Sequence, residues 1–160
     1  MKTLYVVRHA KSSWKFDVID HERPLNDRGL NDAPKIASYI AQHMPKPDLM
    51  MSSDAMRAKT TAFFFAKAYQ IPENDIVLDH TLYDFEGRDL VNVIRNCDDS
   101  IHCLMVFGHN NAMTNFVNIY GNKRIDNVPT AGFTAITFDI EHWKDINQGK
   151  TIFTCTPKEL

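Results

Sequence analysis

Cysteine is scarce in this chain and unpatterned: Cys97, Cys103 and Cys155 are the only three, with no CxxC spacing among them. An odd, scattered set argues against a disulfide framework or a cysteine-built zinc site and suits reduced thiols, so the expected compartment is cytoplasmic. Excess positive charge is missing as well. Lys and Arg number 18 against 20 Asp and Glu, a formal net charge of -2, which leaves no bulk field to draw in nucleic acid or an anionic membrane. Any anion must then be held by a local cluster. Long apolar runs are also absent. The opening segment from Met1 to Arg8 has too short an apolar run for a signal peptide, and no stretch approaches membrane-spanning length. Repeats, low-complexity tracts and linkers are lacking too. The 160 residues are therefore read as one domain, 1–160, long enough to bury a core.

What the chain does have is alternation. Leu4 to Val7 is β-branched and aromatic-rich and reads as a buried first strand. From about Asn26 to Met44, the residues Leu30, Ala33, Ile36, Ala37, Ile40 and Met44 recur at three- and four-residue steps, the signature of an amphipathic helix. Pro34 is expected to kink that helix or to sit in the first turn of a later start. Further strands are predicted over residues 48–51, 76–78, 102–107, 133–140 and 151–154. Further helices are predicted over 54–69, with Ser53 or Asp54 as N-cap, over 87–96 and over 110–120. Residues 143–149 read as a polar turn. Strands alternating with helices predict an α/β domain.

In such a fold, ligands collect beyond the carboxyl ends of the strands. Arg8, His9, Ala10, Lys11, Ser12 and Ser13 follow the first strand. Ser52, Ser53 and, one turn into the next helix, Arg57 follow the second. Gly108, His109, Asn110 and Asn111 follow the strand over 102–107. Two arginines and two histidines thus arrive at one sheet edge. A cation in a first helical turn opposes the helix dipole, and a bound anion at Arg57 would remove that conflict. Arg8, ending an apolar strand, needs a partner or loses solvation without return. For either arginine alone, pairing with an acidic residue is the better reading; for both, beside two histidines, an anion site is. Guanidinium forks match phosphate oxygens. A neutral imidazole is a competent nucleophile towards phosphorus, and a neighbouring cationic histidine can offset charge on its oxygens. Gly108 is read as letting backbone come close to the ligand. Metal binding is disfavoured, because two arginines repel a dication and Asp54 is the one carboxylate in these loops.

Arg8-His9-Ala10, Ser52-Ser53 followed by Arg57, and Gly108-His109-Asn110 together resemble the histidine phosphatase superfamily, the phosphoglycerate mutase-like group. Within it, Arg8 to Trp14 and Arg23-Pro24-Leu25 followed by Arg28-Gly29 resemble the SixA-type phosphohistidine phosphatases. The resemblance implies a three-layer α/β/α sandwich around a mostly parallel sheet. It implies His9 as the nucleophile that becomes phosphorylated. Arg8, Arg57 and His109 would hold the phosphoryl oxygens, with Ser12 and Asn110 as further donors, and no metal or organic cofactor. Ala10 stands where the superfamily usually has glycine. The substrate would be a phosphorylated protein bearing phosphohistidine or a small phosphate ester, and inorganic phosphate the product.

A general acid is harder to name. Asp84 and Glu86 are the candidates, in the segment Leu82-Tyr83-Asp84-Phe85-Glu86-Gly87-Arg88-Asp89, although Glu86 and Asp89 could equally cap or solvate the next helix. Phosphorylated imidazole leaves more readily than an alkoxide and needs less proton donation, so a missing acid points to a labile phosphoryl donor. A phosphomonoesterase using Asp84 or Glu86 is the alternative enzyme. A phosphate- or phosphopeptide-binding module is the alternative from another class, though binding alone would not need His9. A mutase would need a lid this short chain has little room for. Residues Trp14 to Pro24, too polar for a core and too aromatic for a plain loop, are expected to rim an open pocket. Arg23 there is expected to pair with Glu22 or Asp27, or to touch substrate.

Overall fold

A computed structural model describes all 160 residues. Six strands form one sheet in the order β3-β2-β4-β1-β5-β6: β1 Lys2–Arg8, β2 Leu49–Ser52, β3 Val77–Leu78, β4 Cys103–Gly108, β5 Phe133–Phe138 and β6 Lys150–Cys155. The pairs β1–β4, β4–β2 and β2–β3 are parallel, and only β5 runs against its two neighbours. Strands buried on both faces show unbroken apolar runs with side chains alternating between two cores. Tyr5 and Val7 of β1, Met105 and Phe107 of β4, and Phe133 and Ala135 of β5 enter one core. Leu4 and Val6, Leu104 and Val106, and Ile136 and Phe138 enter the other.

The first core is closed by α1 (Asp27–His43) and α2 (Met56–Tyr69), the second by α3 (Arg88–Arg95) and α4 (Ala112–Tyr120). The result is a three-layer α/β/α sandwich around a mostly parallel sheet. Helix α1 buries Ala33, Ile36, Ala37 and Ile40, the predicted stripe, whereas Leu30 is 48% exposed. The helix runs through Pro34 without ending there. Pro34 lies on the exposed face, so the carbonyl four residues back that loses its helical donor can turn to water. A later start with Pro34 in the first turn is thereby corrected. Asn26 is the N-cap, its side chain accepting from Gly29 N at 2.9 Å.

Other expectations shift at the edges. Helix α2 begins at Met56 after Ala55, so neither Ser53 nor Asp54 is its N-cap; Ser53 Oγ instead accepts from Ala55 N at 3.1 Å. The polar turn over 143–149 is half wrong. Trp143 is fully buried in the second core, its ring Nε1 donating to Ile101 O at 2.9 Å, and Ile146 is buried beside it. No helix is long and apolar enough to cross a membrane.

Candidate active site

Strand order decides where the loops meet. β4 lies between β2 and β1, so the three loops singled out above leave adjacent strand ends. Backbone bonds lock them together. Ser53 N donates to Phe107 O at 3.0 Å, and His9 N donates to Gly108 O at 3.0 Å. The loop after β1 is pinned from below as well. Ala10 is fully buried, and its N–H donates to Thr61 Oγ1 of α2 at 3.0 Å, while Thr61 Oγ1 donates to Arg57 O at 2.8 Å. Helix α1 presses on this loop so closely that a Cβ on Gly29 would stand 2.1 Å from Lys11 O. Backbone cannot yield there, so only glycine fits.

His9 and His109 face each other with ring centroids 5.2 Å apart, and both are buried. His9 Nδ1 lies 2.7 Å from Ala10 O. A carbonyl only accepts, so Nδ1 carries the proton and Nε2 keeps its lone pair. Burial, with repulsion from Arg57, Arg8 and Arg23, lowers the His9 pKa to about 3. The imidazole is therefore neutral at ordinary pH. His109 Nε2 lies 2.9 Å from Ser53 Oγ. That hydroxyl also accepts from Ala55 N, and it can give its own proton to Nε2, which would leave the His109 hydrogen on Nδ1. Burial first, then His9 and the arginines, lowers the His109 pKa to about 2. Without a ligand the ring is therefore neutral.

The arginines divide their hydrogen bonds. Arg8 donates from one terminal nitrogen to Val128 O at 2.8 Å. Arg57, 2% exposed, donates to Asp20 O at 2.7 Å and to Asp20 Oδ2 at 2.9 Å. Three buried polar atoms are left with no partner: Arg8 Nε, Arg57 Nε and His109 Nδ1. Unmade hydrogen bonds of this kind cost about 1–3 kcal/mol each, and they are the nitrogens of the three side chains grouped around His9.

Most of the other candidates have partners of their own. Ser12 Oγ accepts from Arg23 at 2.7 Å. Asn110 Oδ1 accepts from Thr114 N and Oγ1, and its amide donates to Asn127 Oδ1 at 2.7 Å, so its side chain is engaged with α4 and the loop before β5. Asp84 accepts from the backbone of Glu86, Gly87, Asp89 and Leu90; it is the cap of α3, a role the sequence reading had offered to Glu86 and Asp89. The Glu86 carboxylate, exposed, makes no hydrogen bond or ion pair. Gly108 makes room for the Met113 side chain, whose methyl a Cβ would meet at 2.6 Å, so its smallness serves packing. Arg23 pairs with neither Glu22 nor Asp27. It donates to Asp20 Oδ1 at 3.0 Å and to Ser13 O, under the Trp14 ring at 3.5 Å.

Asp20 is the residue sequence reasoning missed. Its carboxylate joins Arg57, Arg23 and the Tyr83 hydroxyl. Burial raises its pKa, but those three hydrogen bonds outweigh it and hold the carboxyl well below the usual range. Tyr83 in turn packs edge-on against His109 at 5.3 Å. Beside it, Asp54 lies 2.7 Å from His21 Nε2 and 2.9 Å from His80 Nδ1. The one available signal was the density of polar residues in 14–24, which located a rim without naming partners.

The family model of the histidine phosphatase superfamily (branch 1) matches residues 4–101. The chain belongs to the histidine phosphatase superfamily. It is similar to an uncharacterized protein of Mycobacterium tuberculosis strain H37Rv, 25% identical over 153 residues, 89% of this chain and 93% of the relative. Among solved structures, the protein assigned as SixA phosphohistidine phosphatase of Agrobacterium tumefaciens is 25% identical over 98% of both chains, with a TM-score of 0.81. The protein histidine phosphatase SixA complexed with tungstate has a TM-score of 0.78 at 14% identity, again over 98% of both chains; that likeness bears on the fold. Membership of this superfamily, on a SixA-type scaffold, makes the chain a histidine-nucleophile phosphatase.

Proposed function

We propose that this phosphatase removes phosphoryl groups from phosphohistidine on a protein, with His9 as the nucleophile. The observation that carries the reading is the set of three buried, unpartnered donors, Arg8 Nε, Arg57 Nε and His109 Nδ1, around an imidazole whose Nε2 lone pair is free. An oxyanion bound there supplies the missing acceptors. His9 Nε2 attacks phosphorus, and the bond from phosphorus to the leaving atom breaks, its electron pair going to the leaving group. Water then attacks the phosphohistidine, frees inorganic phosphate and returns Nε2 unprotonated. Arg8, Arg57 and His109 hold the three non-bridging oxygens through both steps.

The choice of phosphohistidine over an ester rests on Asp84. A carboxylate turned towards four backbone N–H groups of the α3 start is engaged there rather than held out towards a leaving group, and an alkoxide leaving group needs a proton donor. The SixA name of the similar Agrobacterium protein supports the same substrate class. Rates measured side by side on a histidine-phosphorylated protein and on a panel of phosphate monoesters test this. The expected result is faster turnover of the phosphohistidine, with acid-labile, base-stable phosphate trapped on His9. Preference for an ester, with full dependence on Glu86, would establish the phosphomonoesterase reading instead.

A further inference from the structure

Outside the phosphoryl cage, three residues from three loops converge without any role in the reaction: His21, Asp54 and His80. His21 Nε2 is 2.7 Å from Asp54 Oδ1, and His80 Nδ1 is 2.9 Å from the same oxygen and 3.0 Å from Oδ2. All the ligating atoms lie within 4.8 Å of one another. We propose that these residues form a binding site for a borderline divalent transition-metal ion such as Zn²⁺, which clamps the rim of the active site.

The chemistry of the donors selects the ion class. Two imidazole nitrogens and one carboxylate oxygen suit zinc, cobalt or nickel and are a poor set for magnesium or calcium, which prefer all-oxygen shells. Geometry agrees. Tetrahedral zinc bonded at about 2.0–2.1 Å separates its ligand atoms by roughly 3.3 Å, so the 2.7–3.0 Å contacts need to open by only a few tenths of an ångström. The side chains can do so, since those of His21, Asp54 and His80 are 29%, 32% and 70% exposed. Asp54 pairs with no lysine or arginine; its charge is met by the two imidazoles alone. Three ligands leave a fourth position open to water.

Position in the fold gives the site its consequence. His21 follows Asp20, which holds Arg57, and Asp54 follows Ser53, whose hydroxyl is hydrogen-bonded to His109 Nε2. A cation at this point fastens the turn over 20–22 to the loop after β2. Both ends of the cage are then tied to one ion, which takes no part in bond breaking.

Zinc titrated into the metal-free full chain, followed by calorimetry, is expected to bind at one site per chain. Cobalt in its place is expected to show the visible absorption of a tetrahedral or five-coordinate nitrogen–oxygen site. His80→Ala and Asp54→Asn are each expected to weaken zinc by roughly a hundredfold. His80 is exposed enough that its loss leaves the fold intact, as circular dichroism can verify. His9→Ala is expected to bind zinc as the unaltered chain does. Absence of saturable binding overturns the proposal. So does zinc binding that survives His80→Ala and Asp54→Asn but disappears in His9→Ala, which would put the ion in the cage.

Discussion

The floor and the rim of this site are built on opposite principles. At the floor, His9, Arg57 and His109 are almost wholly buried, yet Arg57 Nε, His109 Nδ1 and the neighbouring Arg8 Nε have no partner. At the rim, Asp20, Tyr83, His21, Asp54 and His80 are half-buried or exposed, yet each is hydrogen-bonded to another. Elementary energetics would arrange it the other way, since unmade hydrogen bonds cost most where water is excluded. On the proposed function, the floor is where an anion supplies what is missing, and the rim is the frame around those donors. Asp20 joins the two regions, because it occupies two nitrogens of Arg57 while leaving Nε unbonded.

Replacing the floor should cost far more activity than replacing the frame. His9→Ala is expected to lower turnover by at least roughly a thousandfold and to abolish labelling by a phosphodonor; residual labelling on another residue would move the nucleophile. Arg57→Ala removes one charge-assisted contact of about 1.5–3 kcal/mol, or about 10- to 150-fold in kcat/KM, and should weaken inhibition by inorganic phosphate in proportion. Normal turnover in this variant would break the cage. Asp84→Ala is expected to destabilise the fold by about 0.5–2 kcal/mol through loss of the α3 cap, read as a lower Tm, with kcat on phosphohistidine protein unchanged. A fall in kcat at constant folded fraction would restore Asp84 as the acid.

The contrast also has a pH signature. The His9 and His109 pKa values sit near 3 and 2, held down chiefly by burial. Their imidazole proton resonances are expected to stay unshifted in NMR spectra from pH 8 to 5. Unfolded histidine takes up a proton near 6.5, so between there and about 3 the unfolded chain binds more protons and stability falls as pH drops. Asp20 works from the other side. Its folded pKa is depressed, so its contribution is present above the unfolded value near 3.8 and is lost as pH falls through the folded one. Asp20→Asn should therefore flatten the lowest part of the acid-unfolding curve. Titration of His9 near 6.5 in the folded chain would erase the distinction between floor and rim.

Much of this was legible in the chain itself. Strands sandwiched between two helical layers must be apolar on both faces, so β1 and β4 stand out as continuous runs, and α1 declares its buried stripe by spacing. The motifs around Arg8-His9, Ser53 with Arg57, and Gly108-His109 follow those strands directly, where an α/β sheet places its ligands. Asp20 was not legible. It lies 37 residues from Arg57 in a segment with no periodicity, and nothing local distinguishes it from Asp17 or Glu22. The capping role of Asp84 was not legible either: its four backbone donors come from the turn and helix start that follow it and are seen only in the structure.

The linear chain by itself determined the two-sided hydrophobic pattern, and with it a sheet between helices and a basic cluster at the strand ends, because period and burial are local properties of residue order. Only the tertiary structure decided which polar atoms remain unpaired, which tautomer His9 holds and which carboxylate meets which arginine. Those depend on contacts between segments tens of residues apart, where a shift of one ångström makes or breaks a hydrogen bond and sequence spacing carries no record of the distance.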